Sequence, residues 1–268
     1  MRFRAFLNGF LWWPLALACG LAMAQGDASV AALTGETGFH KQLEAIHRLP
    51  ADLSPSALNR WFQYLKTPTG APGEAVLKND LLNALRAQKK PSQKLTETLQ
   101  HMYRNQAQSP QVRDYAIQHL GAWHGFAGNR EAVRNTLWQA SGEGGNSIAG
   151  TALLAMLRLS RSGTTIDGDR LRATALSIAS QQGNSTLSRL SALRVCGELG
   201  VMEAGAIARD VLKQHHPDIS FQLAAVATLG DVGGPEDRAL LEQLTAHPRL
   251  GRAAETALEK LAHKFSQT

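Results

Sequence analysis

Beyond Pro72 the apolar residues recur every three to four positions, in segments of about 10–15 residues parted by short polar breaks. That spacing lines one face of a helix. Val112, Ala116 and Leu120 form one such stripe, followed by Gly121; Phe221, Ala225 and Leu229 form another, followed by Gly230. Ala253, Ala257 and Leu261 mark the last helix. Ile148, Ala152 and Met156 fit with a shift, as do Ser191, Val195 and Leu199 before Gly200. A second helix is predicted between successive stripes: Lys94 to Asn105, Arg130 to Ala140, Arg170 to Ala179, Glu203 to Lys213 and Glu236 to Leu244.

Local punctuation agrees with these elements. Ser92, Ser109-Pro110, Pro217-Asp218, Pro235-Glu236 and Pro248 sit where helices begin. A Ser or Asp side chain accepts from the free N–H groups of a first turn, and Pro at the first helical position loses no needed donor. Gly121, Gly200, Gly230 and Gly233 read as stops, each supplying a left-handed residue. Leu85, Leu120, Met156, Leu199, Leu229 and Leu261 serve as equivalent markers, spaced about 30 to 43 residues apart, the range of helix-pair solenoids. One helix pair cannot bury its own apolar face, so successive pairs stack, with Ala and Gly on the inward stripe allowing close approach. The expected fold class is all-α, an α-solenoid of stacked antiparallel helix pairs; a closed helical bundle is the alternative.

Ahead of the repeats, Thr37 to Arg48 and Pro55 to Leu65 read as two amphipathic helices. Trp61, Phe62, Tyr64 and Leu65 would cover the open end of a solenoid, and Thr67 to Gly73 is a polar, proline-stiffened loop. The front of the chain has a different pattern. Arg2 and Arg4 precede an apolar run from Ala5 to Leu21 that ends in Ala22-Met23-Ala24. A positive start, an apolar centre and an A-x-A site are the parts of a secretory signal peptide. The expected organisation is a signal peptide at 1–24, an N-terminal helical cap region at 25–71 and helical repeats at 72–268. Two alternatives stand beside cleavage at Ala24. The run is long enough for a retained anchor, and Ala16-Leu17-Ala18-Cys19 resembles a bacterial lipobox, which would tether the chain through Cys19. The expected destination is periplasmic or secreted, with membrane contact only if the signal is retained or Cys19 is lipidated.

Composition narrows the picture modestly. The formal charge of +6 falls to +4 once Arg2 and Arg4 leave, a dispersed excess that serves solubility. Export makes nucleic acid an improbable partner. Cys19 lies in the leader, so Cys196 stands alone in the mature chain and forms no intramolecular disulfide. Its apolar helical surroundings suit a small buried hydrophobe.

Chemistry-bearing motifs are few. His119 and His124 are separated by Gly121 and do not share a helix face; His215 and His216 diverge; no H-E-x-x-H occurs. Asp167-Gly168-Asp169 lacks the further oxygen ligands of a calcium loop and reads as a turn with a helix cap. Gly142-Glu143-Gly144-Gly145 lacks the Lys of a phosphate loop and reads as a flexible turn. No catalytic residue, metal ligand or cofactor is expected.

The chain resembles the HEAT-repeat family, as an exported bacterial member. Pro110-x-Val112-Arg113-x-x-Ala116-x-x-x-Leu120-Gly121 is similar to the first-helix pattern of such repeats, and Pro217-Asp218-Ile219 through Leu229-Gly230-Asp231-Val232-Gly233 fits again without the Arg. Leu157-Arg158, where Leu-Gly is expected, departs from it. The resemblance implies a curved surface presented to a protein partner, with second helices lining the concave side. Arg130, Arg134, Arg170, Arg209, Lys213 and Arg238 all fall on second helices and form the candidate binding stripe, although interleaved Glu131, Glu203, Asp210 and Glu236 could pair with them instead. The function expected is a protein–protein interaction scaffold of the cell envelope. An envelope enzyme acting on cell-wall or polysaccharide material, with a pocket around His119 and His124, is one alternative. A lipid-tethered spacer is the other.

Overall fold

The computed structural model describes residues 38–90 and 92–266. The expected leader, its expected cleavage site at Ala24 and Cys19 lie outside the described residues. The described chain is all helical, and its contacts divide it into two compact units, Met1–Thr98 and Leu99–Thr268. None of the described helices is long and apolar enough to cross a membrane.

The described part of the first unit holds α1 (Phe39–His47), α2 (Pro55–Lys66) and α3 (Glu74–Arg86), with α1 packed on α3. α4 (Lys94–Arg104) spans the boundary between the units. Ser54 caps α2 by accepting from the Ala57 N–H at 3.2 Å, and Pro55 opens the helix. Trp61, Phe62, Tyr64 and Leu65 are buried, as the sequence pattern requires. The loop before α3 is pinned from within. Glu74 accepts from the N–H groups of Thr69 and Gly70 at 2.9 and 2.8 Å and pairs with the fully buried Lys78 at 2.6 Å. Lys78 also donates to the Thr67 carbonyl at 2.8 Å. A buried ammonium is tolerated only when hydrogen-bonded and paired, and these contacts supply both. Gln88 similarly ties the α1–α2 connection, accepting from Leu53 N–H and donating to the Pro50 carbonyl.

The second unit is a two-layer repeat. α5 (Pro110–Trp123), α7 (Ile148–Arg161), α9 (Thr186–Glu198), α11 (Ile219–Val232) and α13 (Gly251–Ser266) form one layer, each packed on the next. α6 (Arg130–Ala140), α8 (Gly168–Ser180), α10 (Ala204–Lys213) and α12 (Arg238–Leu244) form the other, each leaning on neighbouring helices of the first. The second helices match the boundaries expected from periodicity within a few residues. Ser109, Asn129, Asp167, Ser185 and Asp218 cap α5, α6, α8, α9 and α11 with their side chains.

Small residues explain how the first helices approach one another. A methyl added at Gly121 would lie 2.6 Å from the Ala155 Cβ, at Gly150 2.7 Å from the Ser191 Cβ, at Gly197 3.3 Å from the Thr228 Cα and at Gly230 2.9 Å from the Ala257 Cα. Each junction of the layer therefore rests on one glycine. This corrects the reading of Gly121 and Gly230 as helix stops, since α5 continues to Trp123 and α11 to Val232. Of the four glycines read as stops, Gly200 alone has the left-handed backbone, with φ of 70°. Gly233 has φ of −62°.

Candidate interaction face

α7 carries Thr151, Leu154, Arg158 and Arg161 on one side, at the three- and four-residue steps that align along a helix. With Gln118 from α5 and Arg194 and Glu198 from α9, they line a groove of about 440 Å³ across three successive first helices. Leu157, nearly buried, contributes to its apolar floor. Arg161 pairs with Glu198 across the α7–α9 junction at 2.5 Å. Arg158 is exposed and uses its Nε only to reach the Leu154 carbonyl at 3.3 Å. Arg194 is exposed and forms no ion pair among the described residues. Three guanidiniums thus face one carboxylate. Beside the groove, burial pushes the Asp114 carboxyl above the ordinary range, and the nearby Thr151 and Ser147 side chains offset this only in part.

Four of the six second-helix cations engage partners on their own or a neighbouring element. Arg130 donates to the Gly125 carbonyl at 2.9 Å, and with half-buried Arg134 lies near His124. Arg170 sits over the Trp138 ring, 4.2 Å from its centre, an attraction between cation and aromatic face. Arg209 grips the buried Asp237 through Nε at 2.6 Å and reaches Glu236 at 2.9 Å. Lys213 is exposed and contributes to the field at Asp237. Arg238 pairs within its own helix with Glu242 at 2.8 Å. Burial pushes the Asp237 carboxyl up, but the bonds from Arg209 and the Gly234 N–H outweigh it and hold the group below its ordinary value.

His119 and His124 are both buried. Burial, then the charges of Arg134 and Arg130, press His124 below the ordinary imidazole value. The charged groups acting on it are cations, whereas a histidine base is normally oriented and strengthened by a carboxylate. Among the described residues no group of three or more His, Cys, Asp or Glu is arranged to hold a metal ion. Cys196 is buried, and burial followed by the charge of Glu203 pushes its thiol up to about 12. Asp167 accepts from the Arg170 N–H at 3.0 Å, the turn-and-cap role expected of it.

Sequence reasoning passed over Arg158, Arg161 and Arg194. The available signal was the departure at Leu157-Arg158, where a long cation stands in place of the small residue of the repeat pattern. Arg194 and Glu198, one turn apart on the following first helix, repeat the theme.

No protein-family model matches the chain, and no curated protein does. Among solved structures, human deoxyhypusine hydroxylase in complex with glycerol is similar: 20% identity, 92% of this chain and 99% of that chain covered, with a TM-score of 0.45. That degree of likeness carries no activity across. Helix packing defines the class, and the chain is an all-α helical-repeat protein.

Proposed function

We propose that this chain is an exported HEAT-like scaffold that holds a protein partner in the cell envelope, using the first-helix face of its repeats. The observation that carries this reading is the groove across α5, α7 and α9, in which Arg158 and Arg194 have no carboxylate partner among the described residues. Repeat arrays offer such faces as preorganised surfaces, and arginine forks supply directional recognition with little ordering cost. The glycine-lined junctions bring successive first helices into close contact, so their side chains form one continuous face. The second-helix stripe is the weaker choice, because Arg209, Arg170 and Arg238 are engaged with Asp237, Trp138 and Glu242.

Export is supported by the pattern from Arg2 to Ala24. Mass spectrometry of the mature N-terminus tests it: a chain starting at Gln25 supports the free periplasmic or secreted form, and an acylated Cys19 replaces it with a tethered one. Docking is tested by a photo-crosslinking residue in the native envelope, placed at Gln118 on the first-helix face or at exposed Gln139 on α6. A discrete adduct from the first position and none from the second is expected. No adduct from Gln118 overturns the reading.

A further inference from the structure

We infer that the groove between α5, α7 and α9 recognises the carboxylates of an extended acidic segment in the protein partner, with Glu198 serving as an internal placeholder for one of them. This rests on the scaffold reading above and adds the chemistry of the bound segment.

Charge selects the ligand class. Arg158, Arg161 and Arg194 share one groove with a single acid, Glu198, leaving two positive charges in excess. Guanidinium forks match carboxylates in geometry and bind them through paired N–H groups. The chain already uses this pairing between repeats, as Arg209 does on Asp237. The lining argues for a peptide over a simple anion. Leu154 and Leu157 give an apolar floor, while Gln118 and Thr151 offer donors and acceptors suited to a peptide backbone. A small inorganic anion would leave those features unused, and a groove of about 440 Å³ lies in the size range of ligand sites.

Glu198 offsets part of the groove's charge when it is empty. Its carboxylate holds Arg161 at 2.5 Å, yet the Arg161 side chain remains 59% exposed. An exposed pair of this kind is worth little and is screened by salt, so an incoming carboxylate exchanges with Glu198 at small cost. Arg158 and Arg194 meet the ligand directly, and Arg161 is recruited by exchange.

The test uses the full mature chain and a fluorescent synthetic peptide of alternating Glu and Leu, read by anisotropy, with a Lys–Leu peptide as the opposite-charge probe. The Glu–Leu peptide should bind and the Lys–Leu peptide should not. Arg158→Glu with Arg194→Glu should weaken binding by at least about tenfold, while Arg130→Glu with Arg238→Glu, the same change in net charge, leaves it unaltered. Equal loss in both double variants reduces the effect to bulk attraction and overturns the inference. Glu198→Gln should tighten binding; an unchanged or weaker affinity removes the placeholder role. Displacement of the peptide by inorganic phosphate at equal concentration would make the groove a general anion site and overturn the peptide assignment. Matching thermal midpoints establish that the variants are folded, and the single Arg194→Gln variant, also expected to weaken binding, stands in if the double reversal unfolds. A crosslink from Gln118 that survives the Arg158 and Arg194 reversal preserves the scaffold and defeats this inference; no crosslink in either background defeats both.

Discussion

Arg113 donates through Nη2 to both carboxylate oxygens of Glu143, each at 2.8 Å, while its Nε reaches the Tyr103 carbonyl at 2.7 Å. Tyr103 completes the cluster by donating its hydroxyl to the same carboxylate at 2.7 Å. The guanidinium is buried, so it needs this counter-charge to stay there. Glu143→Ala should lower the unfolding free energy by about 2 kcal/mol, the scale of hydrogen bonds to a charged group. Urea unfolding measures it, with Glu143→Gln falling between wild type and Ala. A loss below about 0.5 kcal/mol, ordinary for an unremarkable surface site, would mean that water replaces the carboxylate.

Gly230→Ala tests the junctions between first helices. Alanine is normally the better helix former by about 1 kcal/mol, but here its methyl would lie 2.9 Å from the Ala257 backbone. Overpacking of this kind costs about 1–3 kcal/mol, so a net drop in thermal midpoint is expected. Gly125→Ala has nothing within 4 Å of the added methyl and should leave the midpoint nearly unchanged. Equal behaviour of the two variants would show that neighbouring first helices shift apart freely.

Acidification should destabilise the fold in two windows. His124 is held below its ordinary value of 6.5 chiefly by burial, so the unfolded chain takes up its proton first and stability falls as pH drops below that value. Glu74 and Asp237 follow. Burial raises each carboxyl, but hydrogen bonds from Lys78 and Arg209 respectively overcome it and leave both below their ordinary 4.5 and 3.8. Their stabilisation is complete above those values and is lost as pH falls through the folded ones. Asp114, raised by burial, opposes this trend. Thermal midpoints across pH should therefore flatten at the acid end in Arg209→Ala, and flatten near pH 6.5 in a folded His124→Gln variant. An unaltered slope in both removes these groups as the cause.

Cys196 should be silent toward iodoacetamide in a folded chain produced from Gln25 onward, at neutral pH. Its thiol is buried and pushed up to about 12, first by burial and then by Glu203, and the reactive species is the thiolate. Labelling should appear only with unfolding, tracking the urea transition seen by circular dichroism. Rapid labelling without denaturant would place the residue at an accessible surface.

The helices were legible because their signals are local. Pro110–Trp123 follows from Ser109-Pro110 as a start and from the spacing of Val112, Ala116 and Leu120, all readable within a dozen residues. Gly121 and Gly230 misled for the opposite reason. Their meaning is tertiary, set by Ala155 and Ala257 on the next first helix, so a rule about local helix endings cannot reach it. Glu143 looked like part of a flexible glycine turn because its partner, Arg113, lies thirty positions earlier. The groove was hidden likewise, since Gln118, Arg158 and Arg194 become neighbours only once three repeats have stacked.

The glycine at every junction also bears on how such a chain can change its length. Because Gly121, Gly150, Gly197 and Gly230 each settle a contact with the immediate neighbour alone, a whole helix pair carrying its own glycine could be inserted or deleted without retuning the others. Growth by duplication then asks for no new interface, only another copy of an existing one.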